Sequence, residues 1–333
     1  MSEIDTLQKL DAQFGPVPSA MQLKEIDHID ERAAEWIAAS SLVFSTLVGE
    51  SGLSISVAGG DAGFVTSSKQ YLHLPCDSLD HPELVQPGVS FGSLFFVAGI
   101  NETLRVNGTI ESVAEAVAKI RVDVCFGHCA KALIRSDFWL PQETRHTALD
   151  QQEFIESVRF FALATCNSDG EADLSPKGDP AGKTVIFHDG NLYFADRPGN
   201  RRMDSFRNLL SQDYLQLLTL IPGSSQIALV KGRAQLATDA AQLAMFEVNG
   251  KLPKLVCCIP ACEIELYPSK AIRQSSLWPV AGGSSHINPA RLFVEHIRLN
   301  KQKGMAAKVA RVAVGVPGLM QKQLDKDYED NLY

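Results

Sequence analysis

The sequence predicts a mainly β (α+β) protein built from two tandem, diverged antiparallel barrel halves with flanking helices. Three observations carry this. The chain has 333 residues, more than one ordinary domain and enough for two of about 150 each. Turn-punctuated hairpins recur along it with few crossover helices, the pattern of an antiparallel barrel. Three motifs also occur twice in the same order, the mark of an internal repeat.

The repeat fixes the organisation. LFFVAGINETLRVNGT (94–109) matches LTLIPGSSQIALVKGR (218–233), pairing Gly99 with Gly223 and Gly108 with Gly232 at a spacing of 124. SVAGGDAG (56–63) matches SPKGDPAG (175–182), with Ser56 to Ser175 and Gly63 to Gly182 at 119. KALIRSDFW (131–139) matches KAIRQSSLW (270–278), with Lys131 to Lys270 and Trp139 to Trp278 at 139. The expected units are 1–150, 151–285 and a helical tail over 286–333. Growth in the spacing places extra residues in the second half, near TDAAQLAMFEVNGKLP (238–253).

Local signals supply the elements. FFALATCNSDGEADLSP turns at Asp169-Gly170 and KTVIFHDGNLYFAD at Asp189-Gly190, both hairpin signals. LQLLTLIPG, QIALVKGRAQL and LVCCIPACEIELYP read as further strands. MDSFRNLLS carries Phe206, Leu209 and Leu210 at helical spacing. Helices are expected ahead of each half, in KEIDHIDERAAEWIAAS and LDQQEFIESV.

Composition limits the function. A hydrophobic share of 45% and a charged share of 21% suit a soluble globular protein. The net charge of −8 argues against nucleic acid as the main partner. The first residues lack the basic and apolar regions of a signal peptide, and there is no apolar run of membrane-spanning length. Seven scattered cysteines suggest reduced thiols and a cytoplasmic protein. Cys125, His128 and Cys129 lack a second ligand pair, so no metal site is expected.

DRPGNRRMDSFRNL (196–209) is the sharpest chemical motif. Pro198 and Gly199 make a turn, Asn200 is a candidate helix cap, and Arg201 and Arg202 fall in the expected first helical turn. Basic residues there oppose the helix dipole, while guanidinium groups grip phosphate. Two readings stand: an anion site, or a solvated turn with Arg197 or Arg202 paired to Asp196 or Asp204. In DLSPKGDPAG, Ser175 and Lys177 share one strand face. In HCAKALIRSDFW, His128, Lys131 and Arg135 form one stripe if the segment is helical, either a cationic lid or a solvated face. In ETLRVNG, Arg105 and Asn107 share a strand face.

As a set, these motifs resemble the pyridoxamine-phosphate-oxidase-like flavoprotein family, in particular a bacterial subgroup. Its members carry T-x-x-x-D-G, S-P-K-G-D-P, D-R-x-G-N-R-R, L-R-V-N-G and H-C-x-K-A-L-x-R-S-x-x-W in one domain. Here the first three stand in the second half, as Thr165–Gly170, Ser175–Pro180 and Asp196–Arg202. The last two stand in the first half, as Leu104–Gly108 and His128–Trp139. The first half has AGGDAG and LPCDSLDHPELVQPG in place of the lysine strand and arginine turn, and the second has ALVKG and YPSKAIRQSSLW in place of the others.

The resemblance implies two tandem FMN-binding split β-barrels packed as a pseudo-dimer, with one intact FMN site drawn from both halves. It implies cofactor contacts from Ser175, Lys177, Asp196, Arg197, Asn200, Arg201 and Arg202, closed by Arg105, His128, Lys131 and Arg135. Trp139 is expected in the core rather than on the cofactor. The implied activity is an FMN-dependent oxidoreductase on a small molecule. Alternatives are a non-catalytic FMN or anion binder and a heme-handling split barrel. A true pyridoxamine phosphate oxidase is not expected, and no catalytic acid or base stands out beyond His128. The assembly expected is a monomeric pseudo-dimer or a homodimer. PARLFVEHIRLNKQKG reads as an amphipathic helix docked on the barrels rather than on a membrane, and QKQLDKDYEDNLY as a polar, partly mobile end.

Overall fold

The computed structural model describes residues 3–15, 23–142, 148–199, 202–280, 287–302 and 319–333. After helix α1 (Leu7–Phe14), the first half runs α2 (Glu31–Ala39), β1 (Leu42–Gly49), β2 (Gly52–Gly59), β3 (Thr66–Ser67), β4 (Tyr71–Pro75), β5 (Ser90–Phe96), β6 (Thr103–Ala114), β7 (Val117–His128) and α3 (Lys131–Arg135). The second half runs α4 (Gln151–Ser157), β8 (Phe160–Cys166), β9 (Ala172–Gly178), β10 (Ile186–His188), β11 (Asn191–Ala195), α5 (Asp204–Ser211), β12 (Tyr214–Leu220), β13 (Gln226–Arg233), β14 (Gln235–Ala237), α6 (Ala240–Met245), β15 (Val256–Pro260), β16 (Glu263–Pro268) and α7 (Lys270–Ser275). Helices α8 (Pro289–Leu299) and α9 (Leu319–Asp330) follow.

Among the described residues all the strand pairings are antiparallel, and the two halves share one strand order. The first half is a single sheet, β2-β1-β5-β6-β7-β4-β3, in which the β6–β7 hairpin is bent by register shifts at Asn107/Gly108 and Ile110/Ser112. In the second half the same hairpin breaks at Ala234 and at Ala261-Cys262. It therefore serves two sheets, β16-β13-β12-β8-β9 and β10-β11-β15-β14. Joined through those breaks, the second order repeats the first. The sheets stay open, in line with the split barrels that the sequence leads one to expect. Helix α6 sits in the expected insertion, where the first half has only the tight turn at Glu115 and Ala116.

Local chemistry explains the elements. The hairpins turn at Gly170 and Gly190, both at positive φ, where glycine carries no steric cost. Helix α4 starts with a capping box between Asp150 and Glu153, and α2 with the Asp30 carboxylate on Ala33 N at 2.9 Å. Each half has its own core, around Trp36, Phe91 and Phe95 in the first and Phe161, Phe194 and Leu217 in the second.

A third core lies between the halves. Phe44 and Phe96 of the first meet Phe160 of the second, with Phe138 stacked against Phe96 at 5.3 Å and edge-to-face with Phe160 at 4.9 Å. Each buried phenylalanine contributes about 1.5–3 kcal/mol, which holds the halves as one body. Trp139 is half-buried and packs against the edge of this core, on Phe138 and Trp278.

The packing across this core is pseudo-twofold. Helix α3 of the first half lies on β9 of the second, and α7 of the second lies on β2 of the first. Gly178 and Gly59 make these approaches possible: a Cβ at Gly178 would sit 2.3 Å from Ala132 O, and one at Gly59 would sit 1.9 Å from Ala271 O. Helix α8 buries Leu292 and Ile297 and packs on α2 and β7, docked on the protein as its amphipathic pattern suggests. Among the described residues no helix is long and apolar enough to cross a membrane.

Candidate functional site

A cavity of about 720 Å³ opens where β9 and the turn after β11 face α3 and the ends of β6 and β7. Its volume falls in the usual range of small-molecule sites. Arg105, Lys131, Arg135, Lys177, Arg197, Arg202, Lys251 and Lys254 line it, against the acidic groups Asp196, Asp204 and Asp327. In a chain of net charge −8 this is a local excess of cations, the complement of an anionic ligand.

Nine of the sequence-predicted residues meet here: Ser175, Lys177, Asp196, Arg197, Arg202, Arg105, His128, Lys131 and Arg135. Asn200 and Arg201 lie outside the described residues. The alternation of β9 puts Ser175 and Lys177 on the cavity face. Lys177 Nζ reaches Asp196 Oδ1 at 3.1 Å and lies 4.7 Å from the Phe206 ring centre. Ser175 Oγ accepts from Ser205 Oγ at 2.9 Å and from Arg105 at 3.1 Å.

Arg105 is buried and bridges the halves, pairing with Asp173 at 2.6 Å and donating to Leu174 O. Asn107, on the same face, donates to Ala172 O at 3.2 Å. Neither is plain surface. Arg135 Nε donates to Gly178 O at 3.0 Å, and Asp179 takes Arg197 Nε at 2.8 Å while lying 3.6 Å from Arg135. One carboxylate thus serves two guanidinium groups. Burial pushes the Asp179 carboxyl up, against the pull of Arg197 and Arg135.

Three sequence expectations change. Helix α5 begins at Asp204, preceded by Met203 in the left-handed region with no side-chain cap, so Arg202 stands before the helix rather than in its first turn. Arg202 pairs with Asp204 at 2.6 Å and with Glu25, as in the solvated-turn reading, yet it still lines the cavity. His128 ends β7, and only Lys131–Arg135 is helical, so the three residues are not one helical stripe. Burial, reinforced by Arg105 and Lys24, also drives the His128 imidazole well below its ordinary range. It is a neutral group rather than part of a cationic lid, and its buried Nδ1 makes no well-formed hydrogen bond among the described residues. Behind it, Lys24 Nζ donates to Gly127 O at 2.8 Å, and burial and Arg202 bring its ammonium down to about 7.

Sequence reasoning missed Asp173 and Asp179, which anchor the arginines, Ser205, which donates to Asp173 and Ser175, and the closing segment. The polar end expected over 321–333 instead reaches the cavity, where Asp327, Asn331 and Tyr333 line it. Its only sequence signal is a tyrosine next to acidic residues, which local pattern cannot place. Among the described residues no cluster of three or more histidine, cysteine or acidic side chains is set to hold a metal.

Residues 150–256 match the family model of pyridoxamine 5'-phosphate oxidase. That stretch, which covers most of the second half, is similar to that family. Solved structures give weaker likenesses. HupZ of Group A Streptococcus is 14% identical, over 36% of this chain and 94% of its own, with a TM-score of 0.29. An F420 reductase is 11% identical, over 36% and 98%, with a TM-score of 0.28. HutZ, a heme storage protein from Vibrio cholerae, is 11% identical, over 35% and 91%, with a TM-score of 0.25. A comparison with curated proteins finds no match.

Proposed function

We propose that this protein binds one FMN in the cavity between its halves and acts as an FMN-dependent oxidoreductase on a small molecule. The observation that carries the reading is a cavity of flavin-accommodating size whose basic lining comes from both halves. The donor set suits a phosphomonoester: the Ser175 hydroxyl, the Lys177 ammonium and the Arg202 guanidinium would hold the phosphate. Asp196 and Arg197 would shape the turn, and Arg105, His128, Lys131 and Arg135 would close the site from the first half. When bound, the flavin supplies hydride or electron transfer. The chain's part is to hold the anion, orient the ring and shield it from water, with neutral His128 able to donate or accept one hydrogen bond.

The shared strand order and the paired glycines support descent of the halves from one duplicated unit, which would leave two equivalent places for a cofactor, one intact. All seven cysteines are free thiols, which suits a cytoplasmic protein working as a monomeric pseudo-dimer or a homodimer. The test is the absorbance spectrum of freshly purified protein, followed by titration of FMN into the apoprotein. Flavin bands with saturable binding support the reading. A Soret band, or neither signal and no binding, overturns it.

A further inference from the structure

We propose that the cavity includes a second subsite, for a planar aromatic carboxylate, and that segment 319–333 of this chain occupies that subsite as an internal competitor. The proposal deepens the cofactor reading and rests on it only in that both ligands would share one cavity.

Lys131 Nζ pairs with Asp327 at 2.8 Å. The lysine is 2% exposed, so its ammonium needs an anion beside it at all times. The Asp327 side chain is 47% exposed, which makes it a weakly held and exchangeable partner. Two turns of chain further on, the Tyr333 ring lies 5.4 Å from the Arg197 guanidinium and 6.0 Å from that of Arg135, within cation–π reach of both. Arg135 also donates to Leu332 O at 2.9 Å, and Lys251 to Tyr333 O at 3.0 Å.

The segment therefore presents a carboxylate to a buried ammonium, an aromatic ring to paired guanidinium groups, and carbonyl oxygens to the remaining donors. A free aromatic carboxylate offers the first two in one rigid molecule. Arg135 and Arg197 share the single carboxylate of Asp179, so the subsite can take a further negative charge without a clash of like charges. Lys131 and Arg135 belong to the wall that would close over the flavin, so a ligand held there is placed against the cofactor.

The probe is benzoate, titrated by calorimetry into full-length protein with and without FMN. Benzoate should bind the wild-type protein, and Asp327→Asn and Tyr333→Ala should each tighten it several-fold by weakening the competitor. Lys131→Ala should abolish it. Hydrogen exchange of residues 319–333 should rise when benzoate is added. Unchanged or weaker benzoate binding in both tail variants, with melting temperatures equal to wild type, overturns the proposal, because the segment is then a fixed wall. Unchanged exchange of 319–333 at saturating benzoate overturns it as well. Benzoate binding and tail release in protein that takes up no flavin would sink the cofactor reading alone and uphold the subsite.

Discussion

The cavity at β9 and α3 has a mirror place at β2 and α7, and the two differ in charge far more than in backbone. By the repeat spacings, Lys177 corresponds to Ala58, Asp179 to Gly60, Arg105 to Leu229, His128 to Tyr267 and Arg135 to Gln274. Lys131 keeps its counterpart in Lys270. The frame is retained, since Gly59 and Gly178 hold the same register opposite Leu42 and Phe160 and admit the same helix approach. The mirror place is filled from within. Asp80, from the loop after β4, accepts from Ala271 N at 2.8 Å, Lys270 Nζ donates to Asp77 O at 3.1 Å, and the His81 and Tyr267 rings meet edge to face at 5.7 Å. Burial, with Asp80 and Glu265 nearby, pushes the Tyr267 phenol up and keeps it neutral. Packing thus preserves the scaffold on both sides, while basic side chains from both halves converge on the β9 side.

The largest expected effect breaks the scaffold itself. Gly178→Val and Gly59→Val each drive a side chain into a helix carbonyl, and overpacking of this kind costs about 1–3 kcal/mol or more. Both should lower the melting temperature by several degrees, but only Gly178→Val should also impair flavin binding. A Gly59→Val protein with wild-type melting would show that the two helix approaches are not equivalent.

Next comes a test of the charges. Lys177→Ala should weaken FMN binding by roughly ten- to a hundred-fold, the range for losing one charge-assisted hydrogen bond. Lys270→Ala, at the mirror place, should leave the affinity unchanged in the same fluorescence titration. Equal losses would mean both places bind. Consistent with one intact place, flavin released from a weighed sample should approach one per chain; a value near two would refute the asymmetry.

The smallest effect is in pH dependence. His128 is held neutral well below its ordinary value of 6.5. Below pH 6.5 the unfolded chain takes up a proton that the folded chain refuses, so stability present above that pH is lost as pH falls toward the folded value. His128→Tyr, which installs the mirror residue, should remove this part of the acid-side loss. Melting curves at pH 7 and pH 5 should show a smaller drop in the variant than in wild type, and an equal drop would mean His128 is not buried as a neutral group.

Much of this was legible in the chain because it depends on near neighbours. The Asp169-Gly170 and Asp189-Gly190 turns, the alternation that puts Ser175 and Lys177 on one face, and the paired glycines at 99/223 and 63/182, all at positive φ, follow from steric rules acting over a few residues. Less was legible at the site. The arginine turn suggested an anion but misplaced the helix start, because Met203 carries the left-handed step that local capping rules assign to other residues. Asp179 stood inside a recognised motif, yet its grip on Arg135 and Arg197 depends on α3 crossing from the other half.

The sequence by itself determined the strands, their turns and the set of basic residues that differ between the halves, since periodicity and spacing are written along the chain. Only the tertiary structure decided which of those residues share a cavity, and that Tyr333 closes it. Arg135 and Leu332 are 197 positions apart, and they meet because an apolar core of Phe44, Phe96, Phe138 and Phe160 fixes one half against the other. Hydrophobic burial between distant segments has no local signature, so it is the packed chain that sets where the charges converge.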